Sequence, residues 1–197
     1  EATDTESLST FDSDGFTVGS KVGVNTSSED YVAWQWLADN TSGSSNTDGA
    51  ITSTVANNST AGFSIGSYTG TGSATTVGHG LGVVPDMLIV FPRGNAGGRS
   101  VYHDGMATDP ETDHLILSTT AAKVDGAYVW NDTAPTSSVF SVQADNSTNG
   151  SSRTYMFYAW HSVEGFSKFG SYTGNGSADG PFVHCGFRPA YVMIKNA

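Results

Sequence analysis

The sequence is poor in charge, above all in positive charge. Of its 197 residues 14% are charged, against about 25% in an ordinary globular chain, and 8 are lysine or arginine. With 19 acidic residues the formal net charge is −11, and no cluster of basic side chains offsets it locally. Such a surface repels a phosphate backbone, so we expect no nucleic-acid partner.

Cysteine and long apolar runs are also scarce. The one cysteine, Cys185, cannot form a disulfide within the chain, so packing must supply the stability. We interpret it as a small buried side chain beside Gly186 rather than as a reactive thiol. No stretch of about 18 apolar residues occurs, so we predict no membrane insertion. The opening "EATDTESLST" lacks the basic and apolar regions of a secretory signal; either none is made or it has been removed.

In place of charge the chain has glycine, serine, threonine and asparagine. Aromatic residues make up 11%, too many for a disordered acidic chain. Short segments such as "DMLIVF" and "RTYMFYAW" are rich in β-branched and aromatic residues and are separated by Gly, Asn, Asp and Ser turns. No window shows helical periodicity. We therefore predict an all-β fold of antiparallel, sandwich-like units, with a surface typical of extracellular or virion proteins.

An internal repeat runs through the chain. "GSYTG" occurs at 66–70 and at 170–174, an offset of 104 residues, and each copy continues to an apolar run, "DMLIVF" or "AYVMIK". A second pair of segments, "YVAWQW" at 31–36 and "YMFYAW" at 155–160, has an offset of 124 residues. "GFTVGS" at 15–20 likewise resembles "VFSVQA" at 139–144. The sequence therefore predicts β units joined in tandem.

Four segments follow from this repeat. We predict the C-terminal half of a first repeat at 1–37, a low-complexity surface loop at 38–61, a complete repeat at 62–164, and the N-terminal part of a further repeat at 165–197. An incomplete repeat would expose sheet edges, which natural proteins avoid. Residues 165–197 are therefore expected to pair with the opening segment, with another chain, or with sequence beyond this one.

Alternation along two equivalent strands predicts which face is buried. In "YVAWQW" the predicted core face carries Val32, Trp34 and Trp36. In the second copy the equivalent face carries Met156, Tyr158 and Trp160.

No pattern in the sequence specifies catalysis. The five histidines show neither metal-ligand spacing nor a nucleophile motif nearby: His79, His103, His114, His161 and His184. His79 and His184 are equivalent in the repeat, which favours a structural hydrogen bond in each turn. "FDSDG" at 11–15 lacks the remaining ligands of a calcium loop, so we interpret it as a turn. We predict no catalytic residue, no metal site and no cofactor.

Aromatic side chains beside polar turns are the candidate ligand-binding residues: Tyr68, Tyr102, Tyr128, Trp130 and Tyr172. An aromatic face flanked by short polar side chains suits a flat sugar ring, although core packing explains any single one of them more simply.

The longest repeated phrases resemble a known family. "WNDTAPTSSVF" at 130–140 and "GSYTGNGSADGPFV" at 170–183 look like a β-repeat domain of large bacteriophage structural proteins, of the tail-fibre-like or adhesin-like kind and especially of marine phages. The likeness covers nearly the whole chain except its ends and the 38–60 insert. It implies a virion-exposed structural or receptor-binding role and carries over no catalytic residue.

From residues and resemblance together we expect a non-enzymatic segment of a tail fibre or similar appendage on the virion surface. Its expected partners are other copies of itself or other virion proteins, with host-surface glycan as a further ligand. The alternatives are a carbohydrate-binding lectin-like module, a depolymerase fragment with two facing carboxylates, and a subunit of an extracellular filament completed by strands from its neighbour.

Overall fold

The computed structural model describes residues 6–39, 41–94 and 97–197. It divides into two compact units, Glu1–Trp36 and Leu37–Ala197. Every pairing between the strands of these described ranges is antiparallel, and helix is confined to two short turns. The prediction of an antiparallel all-β fold is confirmed.

The first unit holds a hairpin and one helical turn. Strand β1 (Leu8–Phe11) pairs with β2 (Phe16–Val18), and α1 (Val22–Asn25) follows. Asp12 closes the hairpin, because its backbone N–H donates to the Gly15 carbonyl at 2.9 Å and its carboxylate accepts from the Thr10 and Thr17 hydroxyls. "FDSDG" is therefore a turn, as the sequence indicates.

The second unit contains ten strands and a 3-10 turn (Pro110–Thr112) before the ninth strand of the chain. The ten strands are β3 (Ser44–Asn46), β4 (Ser53–Asn58), β5 (Phe63–Thr69), β6 (Thr75–Gly78), β7 (Met87–Pro92), β8 (Ser100–His103), β9 (Asp113–Ile116), β10 (Val124–Asp125), β11 (Val139–Val142) and β12 (Thr154–Trp160). Eight of them form one sheet in the order β10-β9-β8-β7-β12-β5-β4-β3, while β11 pairs with β6.

The last strand, β12, lies at the centre of the large sheet. It hydrogen-bonds to β5 on one side and to β7 on the other, so that Phe157 faces Gly66 and Val90. The central pairings of the sheet are therefore non-local, because 84 residues lie between β5 and β12 and 61 lie between β7 and β12. The repeated segments at 66–70 and 155–160 lie in β5 and β12, or next to β5, and meet in one of these pairings.

A main core contains side chains from both sheets. Its members include Tyr68, Val77, Leu88, Val90, Trp130, Phe140, Val142, Tyr155, Phe157 and Ala159. Because neighbouring residues of a strand point to opposite faces, the residues between them form a smaller cluster on the other side of the large sheet. That cluster is built on Met87, Ile89, Val101 and Leu115, with Tyr158 and Trp160 packed against it.

The predicted surface loop at 38–61 is wrong. The segment supplies β3 and β4 to the edge of the large sheet, and Ile51, Ser53 and Val55 are buried. Serine and threonine dominate the segment, so its alternation of inward and outward side chains carries little hydrophobic contrast. The Ser53 hydroxyl is nevertheless satisfied inside, where it donates to the Gly78 carbonyl at 2.7 Å.

The predicted core faces are also wrong. Residues 31–36 form no strand, and Val32, on the face expected inside, is 85% exposed. In β12 the face within the main core is the opposite one, with Tyr155, Phe157 and Ala159, while Met156, Tyr158 and Trp160 are half-buried. Both faces of β12 are apolar, so alternation within the strand cannot show which face is more deeply buried. The face of Phe157 is more deeply buried because the sheet of β6 and β11 covers it.

Residues 168–197 form neither helix nor strand. The strands predicted for these residues are not formed, and the expectation that 165–197 pairs with a partner stays a prediction. Cys185 is half-exposed, so its interpretation as a buried side chain is wrong.

Candidate functional site

Three of the five candidate aromatic residues are core residues. Tyr68, Tyr102 and Trp130 are each less than 5% exposed. The Tyr68 hydroxyl donates to the Thr148 carbonyl, and the Tyr102 ring packs edge-on against Trp130 at 6.2 Å. Burial raises the pKa of Tyr102 to about 12. The prediction that these three side chains meet a ligand is therefore wrong.

The other two candidates lie on the surface. Tyr128 and Tyr172 each expose nearly half of their area. The Tyr128 ring contacts His114 edge-on at 5.4 Å. Tyr172 is the repeat equivalent of Tyr68, so the same position of the repeat is exposed in one copy and buried in the other.

His79 has a structural role. Its Nε2 lies 3.1 Å from the Thr136 carbonyl, and its Nδ1 accepts from the Leu81 backbone N–H at 3.1 Å. The ring is fully buried, and this burial lowers its pKa, so the imidazole is neutral with its proton on Nε2. The predicted structural hydrogen bond is confirmed for His79.

His114 is the second buried histidine. Burial lowers the pKa of its ring as well. Its Nδ1 has no hydrogen-bond partner in the described part of the chain. His79 and His114 are both buried away from bulk water. A metal centre would need further acids, cysteines or histidines beside them, and in the ranges that the structure describes no group of three metal-ligating side chains occurs. In the same ranges no helix is long and apolar enough to cross a membrane.

A polar cleft of about 420 Å³ opens beside β3 and the loop that follows β6. Hydroxyl and amide side chains dominate its lining, with Asp48 as the carboxylate. The lining residues are Ser44, Ser45, Asn46, Asp48, Val55, Asn57, Gly80, Gly82, Ser137 and Ser138. Hydroxyls and amides both donate and accept hydrogen bonds, so the cleft is chemically suited to a polyhydroxylated ligand.

Two glycines shape this cleft. A Cβ at Gly78 would stand 1.7 Å from Asn46 Oδ1, so only glycine lets the amide lie on the β6 backbone. There the Asn46 amide donates to Asp48 Oδ2 at 2.9 Å and accepts from the Asp48 N–H at 3.1 Å, which holds the carboxylate in place. Gly80 adopts φ +67°, a conformation that favours glycine.

One turn occurs twice with the same hydrogen bonds. Tyr31 Oη accepts from the Thr26 N–H at 2.9 Å and donates to the Val22 carbonyl at 3.0 Å. At an offset of 124 residues, Tyr155 Oη accepts from the Gly150 N–H at 2.7 Å and donates to the Asn146 carbonyl at 2.8 Å. Sequence reasoning found the tyrosines as strand residues but missed that each one anchors a turn.

Three backbone hydrogen bonds recur at the same offset. In each bond the N–H of the first residue donates to the carbonyl of the second. In the first copy the bonds are Asp12 to Gly15, Val24 to Lys21 and Asn25 to Lys21. In the second copy the corresponding bonds are Thr136 to Val139, Thr148 to Asp145 and Asn149 to Asp145. Residues 12–31 therefore have the local structure of residues 136–155.

The two copies of the turn have different surroundings. Asn149 is buried, accepts from the Thr71 N–H at 2.8 Å and donates to the Ser73 carbonyl at 2.7 Å. Its equivalent, Asn25, is exposed and donates to the nearby Gly19 carbonyl at 2.9 Å. The second copy is thus tied to the loop after β5, and the first copy presents the same groups to solvent.

No curated protein and no solved structure matches the chain. A family model described as a domain of unknown function, DUF7483, matches residues 1–197. With the whole length covered by that model, the chain belongs to the DUF7483 family.

Proposed function

We propose that this chain is a structural, non-catalytic β-repeat segment of a virion appendage such as a bacteriophage tail fibre, with adhesion to host-surface glycan as a second role. The observation that carries the proposal is the recurring turn, whose five hydrogen bonds appear at 12–31 and again at 136–155. A module used more than once in a chain is how extended proteins gain length.

The chemistry of the interior supports a structural role. His79 has both ring nitrogens engaged by backbone groups, and Asn149 has both amide atoms engaged in the same way. In these two residues the buried polar atoms hold loops to strands. The surface, with a net charge of −11 and short polar side chains, fits a particle exterior.

Labelling of intact particles tests this role. An antibody raised against the chain is applied to purified particles of the virus that encodes it, and bound gold is located by electron microscopy. We expect gold on an appendage, and none when the antibody is first absorbed with the purified chain. Absence of the chain from purified particles by mass spectrometry contradicts the proposal.

The polar cleft supports a second candidate, a carbohydrate-binding lectin-like module. Asp48 and Asn46 form its acidic corner, where the carboxylate oxygens can accept hydrogen bonds from the hydroxyls of a sugar. A glycan array probed with the wild-type chain and with Asp48→Asn tests it. Binding lost in Asp48→Asn and kept in the exposed control Asp14→Asn supports the lectin role. The absence of binding to any glycan contradicts it.

A further inference from the structure

Exposed apolar residues near both ends of the chain are the repeat equivalents of residues that are buried in the main core. Tyr172 is 47% exposed, whereas its repeat equivalent Tyr68 is 3% exposed. Ile194 is 67% exposed, and its equivalent Val90 is fully buried. The same contrast holds for Phe182 and Val77, Val192 and Leu88, Tyr31 and Tyr155, and Phe16 and Phe140. In the repeat, these side chains therefore stand at core positions although they are exposed here.

The observed register specifies how such a unit would form. β12 lies between β5 and β7, with Phe157 opposite Gly66 and Val90. The offset of 124 relates β12 to residues 31–36, and the offset of 104 relates β5 and β7 to residues 167–172 and 191–196. The same register therefore places 31–36 between 167–172 and 191–196, with Ala33 opposite Gly170 and Ile194. β11 pairs with β6 through Phe140 and Val77. This pair transfers to Phe16 opposite Phe182, because the second copy is one residue longer here: His184 follows His79 by 105 residues rather than 104.

The transferred pairs are sterically compatible. In the main core the Phe157 ring contacts the Phe140 ring of the other sheet at 5.3 Å, and Phe140 is paired with Val77. At the equivalent positions an alanine, Ala33, replaces the Phe157 ring, and a phenylalanine, Phe182, replaces the smaller valine. Phe16, the equivalent of Phe140, thus loses a neighbouring ring at Ala33 and gains one at Phe182. The total side-chain volume is nearly conserved, and cores tolerate volume-conserving changes.

The exposed turn also finds its partners in this register. Asn149 binds the backbone of Thr71 and Ser73, and the equivalents of those residues are Asn175 and Ser177. Asn25 would bind these two backbones as Asn149 does. The Tyr68 hydroxyl donates to the Thr148 carbonyl, which transfers to Tyr172 and the carbonyl of Val24.

We propose that residues 12–36 of one copy of this chain pack onto residues 167–196 of a second copy, with 31–36 as the central strand of a joint sheet. The proposal rests on the structural role proposed above and names the partner for that role. Neither 31–36 nor 191–196 is a strand in the structure, and the joint sheet would give each of them the strand neighbours that its repeat equivalent has. Each copy then offers one donor and one acceptor, and such a head-to-tail contact builds a ring or a filament.

Cross-linking between separately mutated copies tests the register. In a Cys185→Ser background, a Val32→Cys copy is mixed with a Ser171→Cys copy, because Val32 and Ser171 correspond to the observed pair Met156 and Ser67. We expect a disulfide-linked dimer under mild oxidation. In the matched control, Val32→Cys is mixed with Lys168→Cys. Position 168 is three residues and about 10 Å out of register, beyond the reach of a disulfide.

Equal cross-linking in the two mixtures overturns the register, and no cross-linking in either overturns the proposal. A chain that carries both Val32→Cys and Ser171→Cys and links only to itself also overturns it, because the partner would then be the same copy. Asn25→Ala gives a second readout in sedimentation. We expect the thermal unfolding of the single copy to be unchanged and its self-association to weaken about tenfold or more.

These outcomes are independent of the virion experiment. If the chain cross-links in the predicted register but is absent from particles, the contact between copies is supported and the virion role is wrong. Gold labelling of an appendage by a chain that never cross-links would do the reverse.

Discussion

Gly66 lies directly against the ring of Phe157 on the neighbouring strand. A Cβ built at Gly66 would stand 2.4 Å from Phe157 Cζ and 2.8 Å from the Thr54 carbonyl oxygen. No side chain fits between these atoms, so the glycine of the repeated phrase "GSYTG" is there to admit the central aromatic ring of β12. The phrase thus specifies a packing contact as well as a turn.

Gly66→Ala is therefore expected to destabilise the fold by about 1–3 kcal/mol, the usual cost of overpacking a core. Urea denaturation followed by tryptophan fluorescence measures the change. Gly170→Ala is the matched control, because nothing lies within 4 Å of a Cβ there, and it should leave the free energy of unfolding unchanged. Equal effects of the two substitutions would show that the Phe157 contact is unimportant.

Asn149 should matter far more to stability than Asn25. Asn149→Ala removes a fully buried amide and its hydrogen bonds to the Thr71 N–H and the Ser73 carbonyl, at a cost of about 1–3 kcal/mol. Asn25→Ala removes one exposed hydrogen bond to Gly19 and should change the free energy of unfolding by less than about 0.5 kcal/mol. Thermal unfolding of the two variants at low protein concentration compares them; a larger loss in Asn25→Ala contradicts the account.

The hydroxyl of Tyr68 is expected to contribute to stability, and that of Tyr128 is not. Tyr68→Phe removes the buried donor to the Thr148 carbonyl and should cost about 1–2 kcal/mol. Tyr128→Phe alters a half-exposed ring and should be nearly neutral. Denaturant midpoints of both variants decide, and a neutral Tyr68→Phe would mean that the buried carbonyl is satisfied in another way.

Stability should fall as the pH falls below about 6.5 because of His79. Burial lowers the pKa of this imidazole in the folded chain, whereas in the unfolded chain it protonates near its ordinary pKa of about 6.5. Below that pH the unfolded state binds more protons, so the free energy of unfolding declines, by at most about 1.4 kcal/mol per pH unit for one histidine. The nearby Asp48 carboxylate opposes part of this shift.

Urea midpoints at pH 7.5 and pH 5.5 measure this dependence. His79→Gln should reduce the difference between the two midpoints without removing it, because burial lowers the pKa of His114 as well. His184→Gln, at an exposed position, should leave the difference unchanged. A wild-type chain that is equally stable at both pH values, or more stable at pH 5.5, contradicts the neutral buried imidazole.

The fold class was predictable from the sequence because it depends on local composition. Alternating β-branched and aromatic residues between glycine turns define strands without reference to the rest of the chain. The repeat was also visible, and its offset of 124 residues is the offset at which the turn hydrogen bonds of Tyr31 and Tyr155 recur.

Burial was not predictable, because it depends on which second layer covers each strand. The polar turns beside them suggested that Tyr68, Tyr102 and Trp130 lie on the surface. Each of them is instead buried in the core beneath the layer that contains β6 and β11. Likewise the sequence of β4 suggested a low-complexity loop, because one of its inward residues is a serine, Ser53. In the structure the Ser53 hydroxyl donates to a carbonyl of β6. Hydrogen bonds between distant segments hide polar residues in a core without leaving a local pattern.

The cleft was missed for the same reason. Asn46 and Asp48 lie in the serine-rich insert, and Ser137 and Ser138 lie some ninety residues later in the chain. An Asx pair followed by glycine, "NTDG", was the available signal, but it is as typical of a plain turn.

Hydrogen–deuterium exchange of the full chain at low and at high concentration tests the central claim most directly. If residues 31–36 of one copy enter the sheet of another, the amides of 31–36 and 191–196 become protected only at high concentration. The amides of β5, β7 and β12 should be protected at both concentrations, because a single copy already pairs them. Exchange of 31–36 and 191–196 that does not change with concentration would contradict the claim.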